Sequence, residues 1–211
     1  MRKTVAYVRR NFHYIRPSQW KTAAKALYRR FSRSGIFISE DEMPMCSLFP
    51  ERMLSKVVAR FSPKSVLDVG CGTGKALEFF LSRGIDAVGI EGSAIARAKS
   101  LHPDRIILCD LRKPVDLGRT FDLVWCFEVA EHIHSCFTDV FVETIARHAP
   151  VFVISAAPPG QGGEGHFNMQ PKTYWIAKSA DVGFKLDSEA TAELADTREF
   201  YSDNIMVFVR E

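Results

Sequence analysis

A chain of 211 residues, 46% apolar and 25% charged, has enough apolar mass for one sizeable core and too little for two comfortable domains. No apolar run nears the roughly 18 residues that span a bilayer, so no transmembrane segment is expected. The five cysteines (Cys46, Cys71, Cys109, Cys126, Cys136) include no C-x-x-C pair, which argues against a disulfide or zinc framework and suits a reducing, cytoplasmic compartment.

The net charge of +3 conceals an asymmetry. Residues 1–34 carry ten Lys or Arg and no acid, leaving 18 basic against 25 acidic residues in the rest. In this arm Val5, Val8, Phe12 and Ile15 fall at helical spacing, Pro17 interrupts, and Ser18 can cap a second helix striped by Trp20, Ala24, Leu27 and Phe31. Four roles stay open for two basic amphipathic helices: a lid packed on the remaining chain, attraction to RNA or another anionic partner, attachment to a membrane surface, and an organellar transit peptide. Residues 35–46 read as a loop, so the division expected is an arm over 1–46 and a domain over 47–211.

The domain opens with a helix from Ser47 to Phe61 that presents Leu54, Val57, Val58 and Phe61 on one face. Strand and helix then alternate: strand 65–69, helix 75–83, strand 86–90, helix 93–100, strand 105–109, strand 121–127, helix 136–148 and strand 151–156. A helix over 171–181 and strands near 184–188 and 204–210 finish the chain. Short links between alternating elements predict a mainly parallel sheet covered on both faces, and the continuous apolar runs 121–127 and 151–154 suit strands buried on both sides.

The stretch Ser65-Val-Leu-Asp-Val-Gly-Cys-Gly-Thr-Gly74 organises the rest. A β-prone run holding Asp68 meets Gly70, Gly72 and Gly74, and a helix follows at once. A strand turning this sharply into a helix needs glycine, and the amides freed at the helix start face a ligand. The spacing is G-x-G-x-G, unlike the G-x-G-x-x-G of dinucleotide-binding domains. Ligands of open parallel sheets sit beyond the carboxyl ends of the strands, and three strands in succession end there in an acid: Asp68, Glu91 and Asp110. One such acid is often a helix cap; three together point to a ligand.

This pattern resembles motif I and the following strand ends of the class I S-adenosylmethionine (SAM) dependent methyltransferases, over about residues 50–210. The resemblance implies an α/β, Rossmann-like fold with a seven-stranded, mainly parallel sheet, helices on both faces and the basic helical extension ahead of it. It makes SAM the cofactor, held by Asp68, Gly70, Cys71, Gly72, Gly74, Glu91, Gly92, Asp110, Leu111 and Phe127. Glu91 would bind the ribose diol and Asp110 the adenine amino group, with Leu111 against the ring.

The fourth strand runs into Phe127-Glu-Val-Ala-Glu-His132, placing Glu128, Glu131 and His132 at i, i+3 and i+4, one face of a helical turn. Two carboxylates and an imidazole make half of an octahedral site for a hard divalent cation. E-x-x-E-H followed by a later His is similar to the ubiquinone-pathway O-methyltransferases and the small-RNA 2′-O-methyltransferases. That resemblance makes Glu128, Glu131, His132 and His166 the ligands of Mg²⁺ or a similar ion, with Glu131, His132 and His166 catalytic; His134 and Asn168 are substitutes for the fourth ligand. The metal-free alternative has Glu128 contacting the cofactor, Glu131 capping and His132 as a general base. Four glycines between Gly160 and Gly165 predict a loop that closes on substrate.

The function expected is therefore a metal-assisted SAM-dependent O-methyltransferase for a small hydroxylated acceptor such as a sugar, polyol or phenol. RNA ribose methylation, suggested by the basic arm, and a non-catalytic SAM-binding partner subunit are the alternatives.

Overall fold

The structure is a computed structural model and describes residues 49–163 and 165–211, all within one unit of the chain, Gly35–Glu211. The arm, its two expected helices and the loop that follows lie outside the described residues. Strands β1 (Ser65–Val69), β2 (Asp86–Glu91), β3 (Ile106–Leu108), β4 (Leu123–Cys126), β5 (Val151–Ser155), β6 (Phe184–Leu186) and β7 (Ile205–Arg210) form one sheet in the order β3-β2-β1-β4-β5-β7-β6. The first five pair in parallel; β7 enters antiparallel between β5 and β6. After β1 the chain winds outward through β2 to β3, then returns to β1's other edge as β4. That reversal opens a crevice beyond the carboxyl ends of β1 and β4.

Helices α1 (Glu51–Phe61), α2 (Lys75–Leu81), α3 (Ala94–Ala98), α4 (Thr138–His148), α5 (Lys172–Ala180) and α6 (Ser188–Ala195) cover the sheet. On one face Met53, Leu54 and Val57 of α1, Leu77 and Phe80 of α2, and Ala190 and Leu194 of α6 pack on Val66, Leu123, Trp125 and Val207. On the other, Phe141, Val142 and Ile145 of α4 and Trp175 of α5 pack on Leu67, Val124, Phe152 and Phe208. All four residues of β4 are buried, so both cores meet at the sheet's centre.

The boundaries differ from the sequence reading for local reasons. The first helix starts at Glu51, not at Ser47, because Pro50 takes the cap position and Phe49 is non-helical; Glu199 supplies the missing cap, accepting from the Arg52 and Met53 amides at 2.9 and 2.7 Å. The helix expected from 136 starts at Thr138, after a 3₁₀ turn over Ser135–Phe137. Helix α6 was not anticipated at all. Asp187 caps it by accepting from the Ala190 amide at 2.9 Å, and Arg60 of α1 ties it down through Asp187, Glu189 and Glu193. Among the described residues no helix is long and apolar enough to cross a membrane.

Candidate active site

At the end of β1 the chain turns back over β2. The amides of Gly70 and Cys71 both donate to the Ile90 carbonyl, at 2.8 and 3.2 Å. Gly70 has φ +70°, and a Cβ there would fall 2.5 Å from a methyl of Val129, in the loop after β4. Glycine is thus required twice over, for the left-handed backbone and for the approach of the two loops. Gly74 closes the turn at φ +80° as the residue ahead of α2.

Glu91 ends β2 with its carboxylate turned into this turn, accepting from Gly72 N at 2.9 Å and Ser93 N at 2.8 Å. It is buried; burial raises its pKa, and the amides of Ser93, Gly72 and Gly92 oppose that rise. Asp68, also buried, has one carboxylate oxygen with no hydrogen-bond partner, and burial together with the Glu91 charge pushes its pKa up to about 8. The Cys71 thiol lies against Gly89, where a Cβ would sit 2.5 Å from its Sγ, and burial pushes its pKa well up. Asp68, Cys71, Glu91 and Gly92 thus gather at the ends of β1 and β2. Leu111 joins the core on the sheet's other side, while Phe127 stacks on Trp125 with ring centroids 5.5 Å apart.

Asp110 stands differently. Its carboxylate is gripped by Arg112, whose Nε donates to Oδ1 at 2.8 Å and whose Nη2 donates to Oδ2 at 2.9 Å. The guanidinium holds its pKa below the usual range. An adenine amino group reaching Asp110 would share it with Arg112.

The stretch after β4 corrects the expectation of one helical face. Only Ala130–His132 coil, as a 3₁₀ turn, and Glu128 precedes them in a left-handed conformation at φ +53° with its amide donating to Ser155 Oγ at 2.8 Å. The groups converge by another route. The Glu131 carbonyl accepts from Phe167 N at 2.9 Å and Asn168 N at 3.0 Å, which draws the segment bearing His166 across the turn. His132 Nδ1 pairs with the Gly165 carbonyl at 3.1 Å, so this nitrogen carries the proton. His166 meets His132 edge to face, 4.8 Å between centroids, and Gly163 at φ +142° leaves the room its ring needs.

Ligating atoms of Glu131, His132 and His166 lie within 4.8 Å of one another. Glu131 is wholly buried with no hydrogen-bond partner on either oxygen, and His166 Nδ1 is likewise buried and unpartnered. Burial and the adjacent Glu128 charge drive the Glu131 pKa well up, and burial lowers that of His166. The substitute ligands are engaged elsewhere: Asn168 Nδ2 donates to Thr138 Oγ1 at 3.0 Å, and His134 Nδ1 accepts from Cys136 N at 3.3 Å.

Glu128 lies outside the converging three, beside Glu131. Two residues that the sequence did not flag hold it. Asn204 Nδ2 donates to Glu128 Oε1 at 3.1 Å and to Gln161 Oε1 at 2.9 Å, while Gln161 Nε2 donates to Glu128 Oε2 at 3.3 Å. The only hint in the sequence was the position of Gln161 inside the glycine run.

Comparison with known proteins places the fold and the family. A family model described as a methyltransferase domain matches residues 44–161, more than half of the chain. A ubiquinone biosynthesis O-methyltransferase of Psychrobacter cryohalolentis is 33% identical over 129 residues, covering 54% of this chain and 45% of that protein. The chain thus spans about half the length of the curated relative it matches. Among solved structures, the sugar N-methyltransferase of Streptoalloteichus sp. superposes with a TM-score of 0.62 at 22% identity, covering 79% of this chain and 88% of that one. The SAM-bound amino pentose methyltransferase of Micromonospora echinaspora gives 0.59 at 19% identity over 90% and 97%. At these identities the two structures speak for the fold alone.

Proposed function

The chain belongs to the class I methyltransferase domain family, and from that premise we propose that it is a SAM-dependent O-methyltransferase acting on a small hydroxylated acceptor with the help of a divalent cation. The observation that carries the reading is Glu131: a carboxylate buried without a hydrogen-bond partner, facing two imidazoles, is costly unless a cation or proton compensates it. Carboxylate and imidazole donors suit Mg²⁺ or Mn²⁺, so the residues fit the ion that the resemblance implies. Glu131, His132 and His166 would hold it, with Glu128 as the fourth donor. Bound there, the ion supplies Lewis acidity that lowers the pKa of an acceptor hydroxyl.

In this reading the chain's own residues do the rest. The glycine turn and Glu91 fix the donor, with the cofactor's ribose competing for a carboxylate that already orders the Gly72 and Ser93 amides. Asp68 stays neutral beside Glu91 at neutral pH, which limits the negative charge gathered under the cofactor. Val129 against Gly70 keeps the donor loop in register with the acceptor loop, and register of this kind is what an in-line transfer needs. A nitrogen of His166 left outside the cation's shell takes the hydroxyl proton, since His132 carries its own proton on Nδ1 and gives Nε2 to the ion. The O-methyltransferase relative favours oxygen as the acceptor atom, and a phenol, polyol or sugar fits that chemistry.

A second reading, methylation of an RNA ribose, rests on the ten basic residues of the arm. The test of the first is calorimetric titration with S-adenosylhomocysteine in EDTA, then with Mg²⁺ or Mn²⁺. We expect cofactor-product binding, and one equivalent of metal that Glu131→Ala loses. His132→Ala spares cofactor binding and abolishes turnover. Turnover that survives in His132→Ala overturns the catalytic assignment. Absence of cofactor binding overturns the enzyme itself and leaves a partner subunit.

A further inference from the structure

Glu128 combines three features that rarely coincide. Its backbone is left-handed without being glycine, which holds strain that the surroundings must maintain. Its amide is pinned by Ser155, and both its carboxylate oxygens receive a neutral amide donor. Those two donors also bond to each other, closing a ring of hydrogen bonds through Glu128, Asn204 and Gln161. Asn204 is buried in the 3₁₀ turn leading into β7, whereas Gln161 is exposed and flanked by Gly160 and Gly162, both at positive φ.

We propose that Gln161 and Asn204 are positioning residues that hold the Glu128 carboxylate against Glu131, so that the glycine-rich loop becomes part of the cation site through Gln161. The proposal rests on the metal-assisted reading above. Two carboxylates side by side repel once both are ionised, as holding a cation requires, and an unrestrained Glu128 side chain would turn outward to water. The amide pair opposes this with two donors aimed at the carboxylate, yet each oxygen retains a lone pair for a cation. Side chains that orient a metal ligand in this way typically change metal affinity by 10–100-fold when removed. The coupling runs both ways: a cation that draws Glu128 inward tightens Gln161, and the loop with it.

The test uses Mn²⁺ alone as probe, titrated calorimetrically into the full chain, with S-adenosylhomocysteine affinity as control. Gln161→Met keeps the bulk of the side chain and removes the amide; Asn204→Ala removes the other donor. Both are expected to weaken Mn²⁺ by about tenfold or more while the cofactor-product affinity stays within about twofold, a margin of well under 1 kcal/mol. Mn²⁺ is also expected to slow amide exchange across residues 160–163 in the wild type and to lose that effect in Gln161→Met. Asn204 is buried, so its variant carries a folding risk; Gln161 is exposed and does not. Mn²⁺ affinity and loop protection unchanged in Gln161→Met overturn the proposal while leaving the metal reading intact. A wild type that binds no Mn²⁺ overturns both.

Discussion

Asp68 shows how one side chain sets a pH dependence. Its carboxyl is neutral in the folded state up to about 8, while in the unfolded chain it ionises near its ordinary value of 3.8. Between those values the folded state holds the extra proton, so stability falls as pH rises through this window and levels off above it. Each pH unit inside the window is worth at most about 1.4 kcal/mol. The ionisable groups facing it are the Glu91 carboxylate and the thiols of Cys71 and Cys126. Urea unfolding of the wild type and Asp68→Asn at pH 5, 7 and 9 should show the difference between them shrinking, then reversing, in favour of the variant. A difference that does not change with pH would mean that Asp68 is solvated. At the same scale, the ends of β1 and β2 were legible, because glycine and acid at fixed spacing follow from backbone geometry. Gln161 and Asn204 were not: they lie 33 and 76 residues from the Glu128 they hold, and the glycine run around Gln161 marks a loop without marking its partner.

Among the elements, α1 depends on a residue far from it. Pro50 offers no side-chain cap, and Glu199 accepts from two of the helix's first amides while its charge opposes the positive end of the helix dipole. Glu199→Ala is expected to cost about 1–2 kcal/mol and to lower Tm by about 2–4 °C for each kcal/mol; an unchanged Tm in differential scanning calorimetry would refute the cap. Elements built from strong periodicity were readable in the sequence. Helix α6 was not, since Ser-Glu-Ala-Thr-Ala-Glu-Leu-Ala buries only Ala190 and Leu194 and has no broad apolar stripe. The turn over Ala130–His132 escaped for a different reason. A spacing of i, i+3, i+4 permits a helical face without requiring one, and the hydrogen bonds from Phe167 and Asn168 settle the geometry from outside.

For the whole molecule, charge divides into a basic arm and an acidic remainder. If the arm gathers RNA, affinity of the full chain for single-stranded RNA falls steeply with salt, log K changing by about −0.7 per phosphate contact for each unit of log salt concentration. Fluorescence anisotropy across a NaCl series reads that slope, and no binding at low salt removes the RNA reading. The parallel half of the sheet could be foreseen from alternating strand and helix. The place of β7 could not, because two late strands say nothing about which one reaches β5.

That placement bears on how the protein is made. Until β7 is synthesised, β5 presents an open edge of apolar residues, with Phe152 lacking the Phe208 ring that stacks on it 4.9 Å away. Exposed edges of this kind recruit other chains. The turn just ahead of that strand carries Asn204, so on the ribosome the segment that seals the edge also delivers the last polar contact to Glu128. A nascent chain therefore exposes this edge in the same interval in which the hydrogen bonds around Glu128 are still incomplete.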